Sequence, residues 1–478
     1  MATKRLQFTD WLPDQPANAG SLNDAKNVYP LGIGYGAFPS AVDFSNAASE
    51  DINNIFVAKF GANVEVFAGG ATKLFKLNIA TLALADVSKS GGYGGNGTWR
   101  FEQFGNVVLA CNDNNKIQAW TIGVSTVFAD VAATAPIAKD IAVVRDFVFA
   151  GNIGTGTNPD KVQWSDINDE TDWTSGATSQ SDFQIIPDGG NVQAITGGEF
   201  GVIFLEKSVV RASYVGSPLF FQFDTISSGL GCLEGNSVAR YGNISFFLSD
   251  DGWYSTDGQT VTNIGLEKID RWFFSRVDLT QINTISAAVD PVKNLVVWNY
   301  ADVDGNRRIL IYNWQLQKWS RAETTSDVVG TIATLGETLE TLVSSLGYTD
   351  IDTMPASLDS RLFIGGKFLF AGAKGTKIVV FTGTSITPQL ITTDIEIGYN
   401  SVATLARPQI DNGTAQVAVA SRRELDDTIT FSSFVPATSE GRCNLRSAGR
   451  YHRFNVQPTG NWTTAMAVDV DVKPQGNR

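Results

Sequence analysis

The chain has 478 residues, 43% of them hydrophobic, with 46 glycines, 36 basic against 49 acidic side chains and one histidine. That length allows two or three domains with large cores, and a mean hydropathy of -0.03 excludes both a membrane protein and a disordered chain. The net charge of -13 argues against a surface that grips nucleic acid, which needs a basic face, although DNA can still pass nearby.

The start, MATKRLQFTD, lacks the apolar stretch of a signal peptide, so synthesis and assembly in the cytoplasm are expected. No window approaches the roughly 20 apolar residues of a spanning helix. Residues 1–50 hold Pro13, Pro16, Pro30 and Pro39 with Gly32, Gly34 and Gly36, which reads as an extended arm.

From residue 51 short apolar runs rich in Val, Ile, Phe and Trp alternate with Gly, Asn and Asp, the pattern of strands joined by tight turns. A hairpin recurs, in which an apolar strand ends in a small residue and a basic residue opens the next strand. Val66-Phe67-Ala68 before Lys73, Val108-Leu109-Ala110 before Lys116, Phe149-Ala150 before Lys161 and Phe370-Ala371 before Lys377 are copies. Looser ones end at Leu205, Leu248 and Ala301. These anchors are 42, 40, 55, 43, 53 and 70 residues apart, and propeller blades repeat every ~40 to 50 residues. The pattern predicts an all-β protein, a β-propeller of six or seven blades over residues 51–392. Unrelated hairpins in sandwich domains are the competing reading.

Within residues 331–346, Leu335, Leu339, Leu342, Val343 and Leu346 fall at helical spacing, and Thr334 with Glu337 has capping-box form. A helical insertion over about 331–358 follows, docking a neighbour or covering its own blade's edge. From about Thr393 alternation resumes, as in Val468-Asp469-Val470-Asp471, and predicts a separate β-sandwich-like domain over 393–478. Residues 407–478 hold nine basic and seven acidic side chains, net +2, which leaves -15 for the rest. Arg422, Arg423, Arg446, Arg450 and Arg453 lie here, with Arg442. They read as an interface, arginine being favoured there, or as a solvated strand face.

His452 is the only imidazole, which rules out a His base, a His–Asp pair or two His metal ligands. Cys111, Cys232 and Cys443 form no C-x-x-C pair and read as buried, inert thiols. Gly92 to Gly97 fits G-x-G-x-x-G, but a strand and not a helix follows, so it reads as a turn. The acidic run from Asp166 to Trp173 lacks the central Gly and closing Glu of a calcium loop and reads as a blade-edge turn. The adjacent pairs Asp250-Asp251 and Asp426-Asp427 point to opposite strand faces, and Asp469 with Asp471 lies near a chain end. Trp164, Trp173, Trp253, Trp298, Trp314 and Trp319 suit blade cores, or sugar and base platforms if exposed. No catalytic residue, metal site or cofactor is expected.

Trp11-Leu12-Pro13 with Asn27-Val28-Tyr29-Pro30 and Gly34-Tyr35, Lys161 to Asp166 running into Asp188-Gly189-Gly190, and Gly449-Arg450-Tyr451-His452-Arg453-Phe454 before Val468 to Asp471 resemble tail proteins of short-tailed bacteriophages. The family is the nozzle or tail-hub type, also called packaged-DNA stabilisation protein or tail tubular protein B. The resemblance implies a structural virion protein with a propeller body. It further implies a homohexameric ring below the portal and adaptor, contact with a fibre, spike or needle protein, and a channel that retains double-stranded DNA and conducts it at ejection without sequence-specific binding. Leu335, Leu339, Leu342, Leu346 and the five arginines are the candidate contacts. A propeller glycosidase, with at least two carboxylates converging in an axial pocket, and a monomeric binding module are the alternatives.

Overall fold

The computed structural model describes residues 2–16, 19–61, 63–95, 97–333 and 368–475. Six four-stranded sheets stand alone, and a seventh group of four strands continues into a large C-terminal sheet. All seven are antiparallel, six of them simple meanders. In chain order they start at Asn54–Phe60, Arg100–Phe104, Ala138–Val144, Val192–Thr196, Ala239–Tyr241, Ser286–Asp290 and Val328–Ala333, here blades 1 to 7. Each blade's first strand packs on that of the next, from blade 7 back to blade 1, with the 3-10 turn Gly235–Ser237 mediating between blades 4 and 5. The ring is a closed β-propeller whose first strands surround the axis.

The predicted rhythm is the second strand of each blade. Ala68, Ala110, Ala150, Leu205, Leu248, Ala301 and Ala371 all fall in second strands, from Asn63–Gly69 to Phe368–Lys374. Sandwiched between neighbours on both sides, these strands are mostly apolar, as in Phe147–Ile153, where every residue is buried and Asn152 alone is polar. The long spacings have identifiable contents. Blade 3 carries the 165–181 loop between its last two strands, and residues 264–285 between blades 5 and 6 hold the short helix Asp270–Phe274, which the hydrophobic pattern had not indicated.

The helix predicted from Leu335, Leu339, Leu342 and Leu346 lies outside the described residues. Its expected start does not hold: Thr331, Ile332 and Ala333 belong to the first strand of blade 7 and pair with Phe370, Leu369 and Phe368.

The N-terminal segment is extended, as read from its prolines, yet it is a strap woven through the rest of the molecule. Ala2–Gln7 pairs antiparallel with residues 467–472. Trp11, 1% exposed, stacks edge-on against Trp272 at 4.8 Å. The Asp14 carboxylate accepts from Arg271 N at 2.9 Å and Trp272 N at 2.8 Å, satisfying amides at the start of the short helix. Asp24–Lys26 bridges Lys318–Glu323 of blade 6 and Gln389–Ile391, and Asp24 holds Arg321 in a two-pronged ion pair at 2.7 and 2.8 Å. Pro39–Asp43 then supplies the outermost strand of blade 7. The ring is therefore closed by the chain's beginning.

The C-terminal sheet lies outside the ring of blades and is joined to blade 6 through Asp24–Lys26 and Gln389–Ile391. In it Cys443–Thr459 pairs with Ile395–Asp411 along its first half and with Thr414–Arg422 along its second. Each pair of adjacent blades shares its own core, but one cluster is larger than the rest. It joins Trp253, Trp298 and Trp319 of blades 5 and 6 to Phe8 and Trp11 of the strap and to Val417, Phe454, Val468 and Val470 of the terminal sheet. The alternation at Val468 to Asp471 serves both sides, since the valines enter this core while Asp469 takes Arg5 at 2.7 and 2.9 Å and Asp471 takes Thr3 at 2.6 Å.

Candidate functional site: the propeller axis

The first strands line a polar space along the axis. Arg100 and Glu102 alternate on one strand face, while Phe101 between them stacks on Phe56 at 5.6 Å in the blade 1–2 interface. With Asn54, Asp140, Thr196 and Arg240 they surround a cavity of ≈ 190 Å³. A second cavity of ≈ 290 Å³ shares Asn54 and Arg100 and adds Asn53, Thr98, Asn236, Asn283, Arg307 and Asp327.

Each group has a defined electrostatic setting. Asp140, 6% exposed, accepts from Ile195 N at 2.6 Å and faces Arg100 Nε at 3.7 Å. Burial raises its pKa and Arg100 opposes the rise. Glu102 is pushed up to about 7, chiefly by burial, with Arg240 pulling down and Asp140 pushing up. Burial lowers the pKa of Arg240, whose Nε donates to Gly242 O at 2.8 Å. Gly198 makes room for it: at φ +118° a Cβ there would lie 2.4 Å from Arg240 Nη2. At Gly197 a Cβ would lie 1.8 Å from Val143 O, because the backbones of blades 3 and 4 touch at this point.

Glu102 makes a testable contribution to stability. Its folded pKa lies above the ordinary 4.5, so between these values the folded chain holds a proton that the unfolded chain releases. The resulting penalty is fully present above pH 7 and fades as pH falls to 4.5. Glu102→Gln is expected to stabilise the protein at pH 8 by roughly 1–3 kcal/mol, at ~1.4 kcal/mol per pKa unit, and by less at pH 4.5. Urea melts at the two pH values check this, and a variant less stable than wild type at pH 8 contradicts it.

The other expected residues are placed as follows. Leu335, Leu339, Leu342 and Leu346 lie outside the described residues. Arg422 and Arg453 are turned inward onto Asp394, with Arg453 Nη2 at 2.7 Å. Arg450 pairs with Glu396 at 2.7 Å, and Arg423 and Arg446 are exposed. The five therefore do not present one free face. His452 is fully buried between Ser401 Oγ at 2.8 Å and Ser421 Oγ at 2.7 Å, and burial lowers its pKa. Cys111, Cys232 and Cys443 are buried and unpaired, with burial pushing Cys232 up to about 12 and Cys443 up to about 11.

In the acidic loop Asp166, Asp169 and Asp172 accept from the amides of Ile167, Thr171 and Thr174, as a turn requires. Gly92 to Gly97 leads into the strand Arg100–Phe104. Five of the six tryptophans are core; Trp314 is partly buried, 4.8 Å from Tyr241. Sequence reasoning missed Arg100, Glu102, Asp140, Arg240 and Arg307. The available signal was positional: charged residues recur in the strand just before an apolar anchor strand or, for Arg307, just after one.

Fold and site together define a β-propeller with a polar, ionisable axis and a strapped C-terminal sheet. No family model matches the chain, and no curated protein matches it. Among solved structures it is similar to the Neurospora crassa Pan2 WD40 domain, at 7% identity over 72% of this chain and 97% of that one, TM-score 0.42. It is also similar to the computationally designed Ika8 protein, at 14% identity over 72% and 99%, TM-score 0.38, and to a chain of the mitotic checkpoint complex, at 9% identity over 74% and 94%, TM-score 0.40. Among the described residues no helix is long and apolar enough to cross a membrane.

Proposed function

We propose that the chain is a structural, non-enzymatic subunit of a short-tailed bacteriophage tail. In this reading six copies assemble in the host cytoplasm into a nozzle or hub ring below the portal and adaptor, contact a fibre, spike or needle protein, and retain and later conduct packaged DNA. The observation that carries the reading is where the resembling residues sit. Trp11, Asn27 and Tyr35 lie on the strap, Lys161–Asp166 lies in blade 3, and Gly449 to Phe454 lies in the long strand Cys443–Thr459. The strap and long-strand segments therefore lie where propeller and terminal sheet are joined, which suits a part that bears load. The acidic excess outside residues 407–478 suits DNA that slides without sticking.

Particle images of the purified protein test it: a six-fold ring with an open channel is expected, and a monomer overturns it. Ala333 and Phe368 are paired neighbours, so replacing residues 334–367 by a short turn is expected to leave a folded monomer unable to form the ring. Tight, salt-sensitive DNA binding by the ring would contradict the repelling channel.

A propeller glycosidase is the second reading, favoured by Glu102 and Asp140 in one axial space. Its test is release of reducing ends from bacterial surface polysaccharide, lost in Glu102→Gln. The ion pair with Arg100 and the hydrogen bond accepted from Ile195 N give the Asp140 carboxylate a structural occupation already.

A further inference from the structure

The larger axial cavity sets two cations beside hydrogen-bonding side chains. The Arg100 guanidinium makes no hydrogen bond among the described residues; its partner is Asp140, at an ion-pair distance of 3.7 Å. Arg307 uses only Nη1, donating to Thr284 O at 3.2 Å and Thr284 Oγ1 at 3.0 Å. Burial lowers the pKa of Arg307, and only Asp327 counters it. Two guanidiniums thus line a cavity whose own carboxylate is Asp327, its Oδ2 accepting from Gly375 N at 2.7 Å, while Asp140 faces Arg100 from the adjoining cavity. A partly desolvated cation in this position is stabilised by an anion.

The same cavity offers hydrogen-bonding side chains. Asn53 lines it, its Nδ2 donating to Gly70 O at 3.2 Å and Gly97 O at 3.4 Å. Acetate offers no hydroxyl to such groups and inorganic phosphate only its own P–OH, whereas a sugar offers several. Asn236, Asn283 and Thr284 at the same cavity add side chains of the kind that orient hydroxyls.

We propose that this cavity binds a hydroxylated anion the size of one sugar, its carboxylate or phosphate held by Arg100 and Arg307 and its hydroxyls by Asn53, Asn236 and Asn283. The site is built within one chain and is independent of ring assembly, so it goes beyond the tail reading and can stand if that reading falls.

The test is calorimetric titration of the intact protein with D-glucuronate, glucose 6-phosphate, glucose, acetate and inorganic phosphate. Saturable binding of at least one sugar anion is expected, with glucose and the matching simple anion each at least roughly tenfold weaker, a loss of ~1.4 kcal/mol or more. Preference between glucuronate and glucose 6-phosphate identifies the anionic group. Arg307→Met should weaken the sugar anion at least roughly tenfold while glucose is unchanged, and Arg307→Lys should restore part of it. Melting temperatures establish that both variants fold; should Arg307→Met not fold, Asn283→Ala on the cavity rim carries the test. Sugar anions that bind no better than acetate or phosphate, or that do not bind at all, overturn the proposal.

Discussion

A chain lacking residues 2–43 is expected to aggregate or to unfold at a much lower temperature. Those residues bury Leu6, Phe8, Trp11, Leu22, Val28, Tyr35 and Phe38, each at most 8% exposed. At about 1.5–3 kcal/mol per fully buried large side chain, they contribute on the order of 10 kcal/mol, comparable to the whole stability of a typical domain. The loss is also topological. Without Pro39–Asp43 the third strand of blade 7, Lys377–Ser385, becomes an open edge that invites aggregation, and without Asp24–Lys26 the terminal sheet loses its ladder to blade 6. Circular dichroism melts and size exclusion check this, with aggregation or a transition at least about 10 °C lower expected. A truncated chain with an unchanged melt would show that the strap is dispensable. Supplying residues 1–43 as a separate peptide should restore part of the lost stability.

Asp394→Ala is the single substitution expected to cost most. The carboxylate, 2% exposed, sits between the guanidiniums of Arg422 and Arg453, themselves about a tenth exposed. Arg453 reaches it through Nε at 3.1 Å and Nη2 at 2.7 Å. Removing it leaves two buried cations facing each other, and breaking a buried pair costs about 3–5 kcal/mol. The penalty belongs to the orphaned charges more than to the bond. The triple change Asp394→Leu, Arg422→Met, Arg453→Met is therefore expected to recover most of the loss, although Arg422 also gives up contacts to the Leu425 and Asp427 carbonyls. Urea unfolding of the three proteins measures it. A cost below about 1 kcal/mol for Asp394→Ala, the value of an exposed pair, contradicts the arrangement.

Much of the ring was legible because a blade's second strand is buried on both faces. Apolar runs ending at Ala68, Ala110, Ala150, Leu205, Leu248, Ala301 and Ala371 stand out for that reason, and all seven lie in second strands. First strands mix charge with apolar residues, so Arg100, Glu102 and Asp140 do not stand out from ordinary surface positions in the sequence. The arginines of the terminal region divide, with Arg423 and Arg446 exposed. Abundance of Arg suggested an interface, yet Arg422 and Arg453 are directed at Asp394, a partner 28 and 59 residues away.

Strand content, the ~40-residue rhythm and the acidic balance are properties of composition and local period, and the amino-acid sequence alone determined them. Three things were decided only by the tertiary structure: the closing of the ring by Pro39–Asp43, the single core joining strap, blades 5 and 6 and terminal sheet, and the convergence of Arg100, Arg240 and Arg307 on one axis. Each depends on pairing between residues tens to hundreds of positions apart. Periodicity reports which face of a strand is buried and carries no information about which distant strand covers it.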